Sequence, residues 1–255
     1  MTRYLRSEEV GTPTIARRRV WPLVTALLAG LLALGILVMC LGNYQVAPST
    51  VAKILVGQIP GIHADVTWPR AVETVVLHVR LPRTLGAMCV GAALALSGAT
   101  YQGVFRNPLV SPDLLGVSAG ACVGAASAIL LHTGRASLQV MALATGLAAV
   151  ALATFIPRLL RNTSTMTLIL SGVIVAGLMN STLGLFKYIA DPETELADIT
   201  YWMMGSFSLI KGSELLMVAP VMALAATILF AIRWRINLLS LGDQQAKSLG
   251  VSLRS

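Results

Sequence analysis

From Val20 to Gly42 the chain carries no charged residue. An apolar run of roughly 20 residues is what a helix needs to cross a bilayer. In hydrocarbon no water can satisfy backbone amides and carbonyls, so such a run must become a helix or part of a closed barrel. No convincing small-residue cleavage site follows it, so it is expected to be a retained span and not a signal peptide. Five further apolar segments follow at 79–103, 112–132, 138–157, 167–189 and 214–234. The expected fold is therefore all-α, a polytopic transmembrane helical bundle of about six spans. Only 12% of the residues are charged and 56% are hydrophobic, against about 25% charged in a soluble domain. The formal net charge of +8 would point to nucleic acid in a soluble chain. Here the charges fall between apolar runs, so the bilayer is the expected partner and no nucleic acid is expected.

Lys and Arg set the expected orientation. The N-terminus, the loops after spans two and four, and the tail hold Arg3, Arg6, Arg17, Arg18, Arg19, Arg106, Arg158, Arg161, Arg233, Arg235, Lys247 and Arg254. The opposite side holds Lys53, Arg70, Arg80, Arg83, Arg135, Lys187 and Lys211. The larger group is expected to be cytoplasmic. That leaves residues 1–19 as a cytoplasmic tail, 20–234 as the membrane domain and 235–255 as a second cytoplasmic segment. The chain is expected in a cell (inner) membrane.

The stretch Tyr101–Ala121 interrupts two apolar runs. Asn107-Pro108 and Ser111-Pro112 favour turns, and proline brings no amide hydrogen to leave unsatisfied. Gly116, Gly120 and Gly124 then recur every fourth residue, which places them on one helix face and admits a close neighbouring helix. Packing alone accounts for them; a thin wall beside a pathway is the compatible functional reading.

Little points to catalysis. Cys40, Cys89 and Cys122 each lie in an apolar run and read as small packing residues. His63, His78 and His132 are scattered, and no paired metal-ligand spacing occurs. No phosphate-binding glycine loop, nucleophile elbow or intramembrane carboxylate pair is present. The chain is read as a conduit or scaffold and not an enzyme. No metal or cofactor is expected on it. Asn180, Ser181 and Thr182 fall mid-span, and three consecutive residues cannot share a face. At least one is expected to face another helix or a pathway. The acidic run Asp191–Ile199 reads as a solvated loop.

The segments Arg80-Leu-Pro-Arg-Thr-Leu85, Gly91–Gly98, Asn107-Pro-Leu109, Leu114–Ala121, Leu170-Ser-Gly-Val173, Tyr201–Phe207 and Asn237–Val251, in this order, resemble the FecCD-type permeases. These are membrane subunits of ABC importers for iron–siderophore complexes, haem and cobalamin. The resemblance implies ten helices per subunit, a second permease subunit in a homodimer or heterodimer, an extracytoplasmic binding protein, and ABC ATPase subunits that hydrolyse ATP on the cytoplasmic side. This chain ends at Ser255, after the sixth of those ten helices, so it is read as a fragment or a truncated product. The implied cargo is an iron(III)–siderophore complex. Cobalamin, haem and a non-transporting subunit are the alternatives.

The resemblance also implies sites. Arg80 and Arg83 would meet carboxylates of the binding protein, for which a planar guanidinium is suited; two arginines snorkelling to headgroups is the plainer account. Asn107, Leu109, Ser164 and Thr165 would stand at the cytoplasmic gate. Thr163, Ser164 or Thr165 could equally be only the N-cap of span five. Leu241, Gly242, Asp243, Ala246, Leu249 and Gly250 would form the short helix that seats in a groove of the ATPase, with Asp243 as cap and Lys247 one turn on.

Overall fold

The computed structural model describes residues 20–42, 44–61, 66–162, 164–208 and 210–240. Among them the only regular structure is helical. The chain divides into two compact units, residues 1–76 and 77–255. In the first, α1 (Val20–Cys40) packs on α2 (Pro48–Val56). Pro48 suits the first turn of α2 because its missing amide is one the helix start leaves unpaired anyway. A short α3 (Arg70–Thr74) follows.

A π turn, Val75–Arg80, leads into α4 (Leu81–Phe105). A 3₁₀ turn at Pro112–Leu115 precedes α5 (Val117–Leu130). Then come α6 (Arg135–Leu159), α7 (Thr165–Ile189), α8 (Glu195–Met204), α9 (Gly212–Ala231) and α10 (Arg233–Ser240). Among the described residues five helices are long and apolar enough to cross a membrane: Val20–Cys40, Arg70–Phe105, Arg135–Leu159, Thr165–Ile189 and Gly212–Ala231. Large side chains such as Leu27, Leu147, Phe155, Leu216 and Leu224 are exposed along them, as lipid-facing surface requires.

The expected third span is corrected. Residues 112–132 do not form one long helix. Pro112 opens a 3₁₀ turn, Gly116 adopts φ +74°, and the α-helix proper has 14 residues, shorter than the roughly 17 a span requires. The acidic run is corrected too. Glu195 begins helix α8, and its Ile199 is 1% exposed.

Three helices end alike. Arg106, His132 and Arg161 take left-handed backbone conformations, at φ 52°, 50° and 52°. In each case the next amide reaches back five residues, from Asn107 to the Gln102 carbonyl, Thr133 to Ala128, and Asn162 to Pro157. That closure satisfies carbonyls the helix end would otherwise strand, and glycine usually makes it.

The core of the second unit is an α5–α6–α7 stack. Gly120 and Gly124 of α5 face α6. A Cβ added at Gly120 would stand 2.7 Å from the Ala149 Cβ, and one at Gly124 would stand 2.3 Å from the Met141 carbonyl oxygen. Leu115, Ala149, Ala153 and Val175 form one buried cluster; Ala126, Leu183, Ala190 and Ile199 form another toward α8. Hydroxyls inside this stack return to their own helix: Ser127 donates to the Val123 carbonyl, Thr145 to Met141, Thr154 to Val150 and Ser171 to Thr167. A buried hydroxyl without such a partner would be costly.

Candidate functional site

The antiparallel α5–α6 contact puts the end of α6, the start of α7 and the 3₁₀ turn at one end of the bundle. Arg158 and Arg161 lie there, and so does Arg106, six residues before the turn. At this basic end the Asn107 side-chain oxygen accepts from the Leu109 amide at 2.9 Å, an Asx turn of the kind Asn and Pro encourage. Leu109 is turned outward, 89% exposed, while Val110 beside it is buried. Asp113 accepts from the Ser118 amide at 3.0 Å and so satisfies a free amide of α5.

The turn is seated on α7. A Cβ at Gly172 would come 2.2 Å from the Leu114 carbonyl oxygen, and one at Gly116 would come 3.2 Å from the Ala176 nitrogen. A cleft of about 510 Å³ runs between Leu94, Ala95, Gly98, Ala99 and Gln102 on α4 and residues 108–112 of the turn. Neither Gly172 nor this cleft was singled out from sequence. The segment Leu170-Ser-Gly-Val173 was the available signal for Gly172.

Ser164 is the N-cap of α7. Its hydroxyl oxygen accepts from the Thr167 amide at 3.2 Å, and its own amide donates to Asn162 Oδ1 at 3.2 Å. Thr165 is the first residue of the helix and is exposed. Asn107 and Leu109 therefore share one turn, and Ser164 and Thr165 open the helix on which that turn rests. On α10 Leu238 is buried, and the Arg106 Nε donates to the Leu239 carbonyl at 2.9 Å. Leu241, Gly242, Asp243, Ala246, Leu249 and Gly250 lie outside the described residues.

At the opposite end, Arg80 closes the π turn and Arg83 sits in the first turn of α4. The Arg83 guanidinium donates through Nη2 to the Ser208 carbonyl. His132 Nε2 lies 3.2 Å from Glu195 Oε1, and Arg135 donates to Glu214 at 2.9 Å. Asp191 organises the turn into α8. Donation from the Glu193 amide, then from the Thr194 hydroxyl and amide, holds its carboxyl below the usual carboxylate range. A depressed folded pKa means the turn is intact above the ordinary Asp value and is lost as pH falls through the lowered one. Asp191→Ala should therefore expose the Glu193 and Thr194 amides at neutral pH. The wild type should expose them only in acid below the ordinary carboxylate range. Amide exchange followed against pH checks this.

Of the three mid-span polar residues, Ser181 and Thr182 donate to the Gly177 and Leu178 carbonyls of their own helix. Asn180 is exposed on α7. Among the described residues no group of three His, Cys, Asp or Glu is placed to hold a metal ion.

The chain is 37% identical over 213 residues to the molybdate import system permease protein MolB of Haemophilus influenzae, covering 84% of this chain and 62% of that protein. It is 39% identical over 184 residues to the "Probable iron chelatin transport system permease protein" of Helicobacter pylori, covering 71% and 55%. It is also 39% identical over 186 residues to the vitamin B12 import system permease protein BtuC of Salmonella paratyphi A, again covering 71% and 55%. The chain thus spans between 55% and 62% of the length of these curated relatives. A solved metal-chelate type ABC transporter in an inward-facing conformation superposes with a TM-score of 0.76 at 34% identity, over 91% of this chain and 68% of that one. The model of the FecCD transport family matches residues 30–255. With its apolar helices, its glycine-seated turn and this match over most of its length, the chain belongs to the FecCD transport family.

Proposed function

We propose that this chain forms the membrane permease subunit of an ABC importer that moves iron(III)–siderophore complexes across the inner membrane. The observation that carries the reading is the turn at the basic end: an exposed Leu109 held by Asn107, just before a 3₁₀ turn seated at Gly172 and Ala176 of α7, the helix that Ser164 caps. An outward apolar side chain at a constriction excludes water, and small polar groups beside it part at low desolvation cost. Asn107, Leu109, Ser164 and Thr165 are assigned to the cytoplasmic gate, with the basic end cytoplasmic. Arg80 and Arg83 are the first candidates for contact with an extracytoplasmic binding protein. The segment from Leu241 to Gly250 is assigned to docking on a separate ATPase. That partner supplies the hydrolysis, and a second permease subunit completes the pathway.

Relatives named for iron chelatin, vitamin B12 and molybdate define the competing cargoes. The test is reconstitution of the full permease in liposomes with its ATPase and binding protein. ATP-dependent uptake of radiolabelled ferric siderophore, with cobalamin, haem and molybdate taken up at least tenfold more slowly, is the expected result. Preferential uptake of one of the other three would replace the cargo. Assembly with the ATPase without uptake of any of them would favour a non-transporting subunit.

A further inference from the structure

Two helices of the second unit begin on a carboxylate placed in the same way. Glu195 is the first residue of α8; its Oε2 accepts from the Asp191 amide at 2.9 Å, and its Oε1 lies 3.2 Å from His132 Nε2. Glu214 lies in the first turn of α9; its Oε2 accepts from the Lys211 amide at 3.4 Å, and its Oε1 accepts from Arg135 Nη1 at 2.9 Å. In each case one oxygen caps the entry to its own helix. The other oxygen faces the turn 131–135, where α5 ends and α6 begins.

That turn is fixed from within. His132 takes the left-handed conformation, at φ 50°, and the Thr133 amide and hydroxyl both donate to the Ala128 carbonyl. His132 and Arg135 are thus presented from a firm base. Arg135 is the first residue of α6, where a cation opposes the helix dipole. Its position does nothing for α6, and its ion partner is on α9. The carboxylates stand at the starts of their own helices, where negative charge is favoured. The Glu195 and Glu214 side chains are 15% and 23% exposed, so both pairs are partly shielded from solvent. What else holds the two helices differs. Ile199 of α8 is buried in one cluster with Ala126 of α5 and Leu183 of α7. The α9 helix has no buried residue and packs on α4 and α10, so Arg135 is its charged link to the α5–α6 hairpin.

We propose that the turn 131–135 is a clasp with two pins: His132 holds the start of α8 through Glu195, and Arg135 holds the start of α9 through Glu214. The clasp keeps the first turns of both helices in register with the α5–α6 hairpin. It belongs to this chain alone and does not depend on which cargo the chain carries.

The experiment is hydrogen–deuterium exchange of the purified chain in lipid nanodiscs. Arg135→Gln should speed exchange across 211–217 by about fivefold, the most that an exposed ion pair contributes. His132→Gln should speed exchange across 191–197 by about twofold, because Ile199 still anchors α8. Each variant should leave the other segment, and the middles of α5 and α6, as in wild type. Glu214→Gln keeps an oxygen for the Lys211 amide, so it removes the charge and not the cap. It should match Arg135→Gln, and the double variant should be no looser than either, since each change breaks the same pair. High salt should bring wild-type exchange across 211–217 toward that of Arg135→Gln. Wild-type exchange across 211–217 in Arg135→Gln, or across 191–197 in His132→Gln, overturns the proposal. So does full additivity of Arg135→Gln and Glu214→Gln, or loosening that spreads through α5 and α6.

Discussion

Adding a single methyl group at Gly124 should destabilise the bundle by about 3 kcal/mol or more, the upper range for overpacking a close contact. The new Cβ would fall 2.1 Å from the Thr145 hydroxyl oxygen and 2.3 Å from the Met141 carbonyl oxygen. A side chain could rotate away; a helix carbonyl cannot move without carrying α6 with it. The pair of obstacles makes a sharp test. Thr145→Ala removes only the first, so it should not rescue Gly124→Ala. Gly177→Ala is the control: nothing lies within 4 Å of that site, and alanine should stabilise the helix by up to about 1 kcal/mol. Reversible unfolding in mixed micelles, followed by circular dichroism, measures all three. A Gly124→Ala protein as stable as wild type, or one repaired by Thr145→Ala, would show that α5 and α6 do not meet at this distance.

Gly172→Ala should produce the second large effect, of about 2 to 3 kcal/mol, and it should be local. The Leu114 carbonyl oxygen would be 2.2 Å from the added Cβ, and the Leu115 Cα 3.1 Å. Relief must come from separating the 3₁₀ turn from α7, because the atoms that crowd the new Cβ are backbone of the turn and no side chain can rotate away. Amide exchange should rise across 107–116 while α9 stays as in wild type. If the turn is the gate, transport by the full permease should fall at least tenfold with ATPase assembly preserved. Wild-type exchange across 107–116 would mean that the turn does not depend on this seat.

The four-residue glycine spacing at 116, 120 and 124 was readable as a close-packed face because helical periodicity puts such residues in line. What they pack against was not readable. Gly120 and Gly124 meet α6, while Gly116 turns to Ala176 of α7. Two neighbours share one stripe because Gly116 lies at the break before the helix, outside its periodic part. Helix ends were legible only to within a few residues. The stops at Arg106, His132 and Arg161 carry no glycine, so nothing local marks the left-handed residue. The acidic run hid α8 for a related reason. Its charges suggest a loop, and only burial of Ile199 against α5 and α7 makes ten residues a stable helix.

Among the site residues, Ser164 was open to two readings, gate group or helix cap, and its hydroxyl does cap α7. Arg83 is the sharper case. From sequence it is one of two arginines three residues apart, and its bond to the Ser208 carbonyl, more than a hundred residues later, appears only in the folded chain. Fold class, membrane setting and family follow from the sequence itself, because apolar run length and residue order are local properties that lipid and backbone hydrogen bonding act on directly. The length of α5, the partner of each glycine and the contact of Arg83 with Ser208 were decided by tertiary structure. They depend on which segments meet, and no residue carries that information alone.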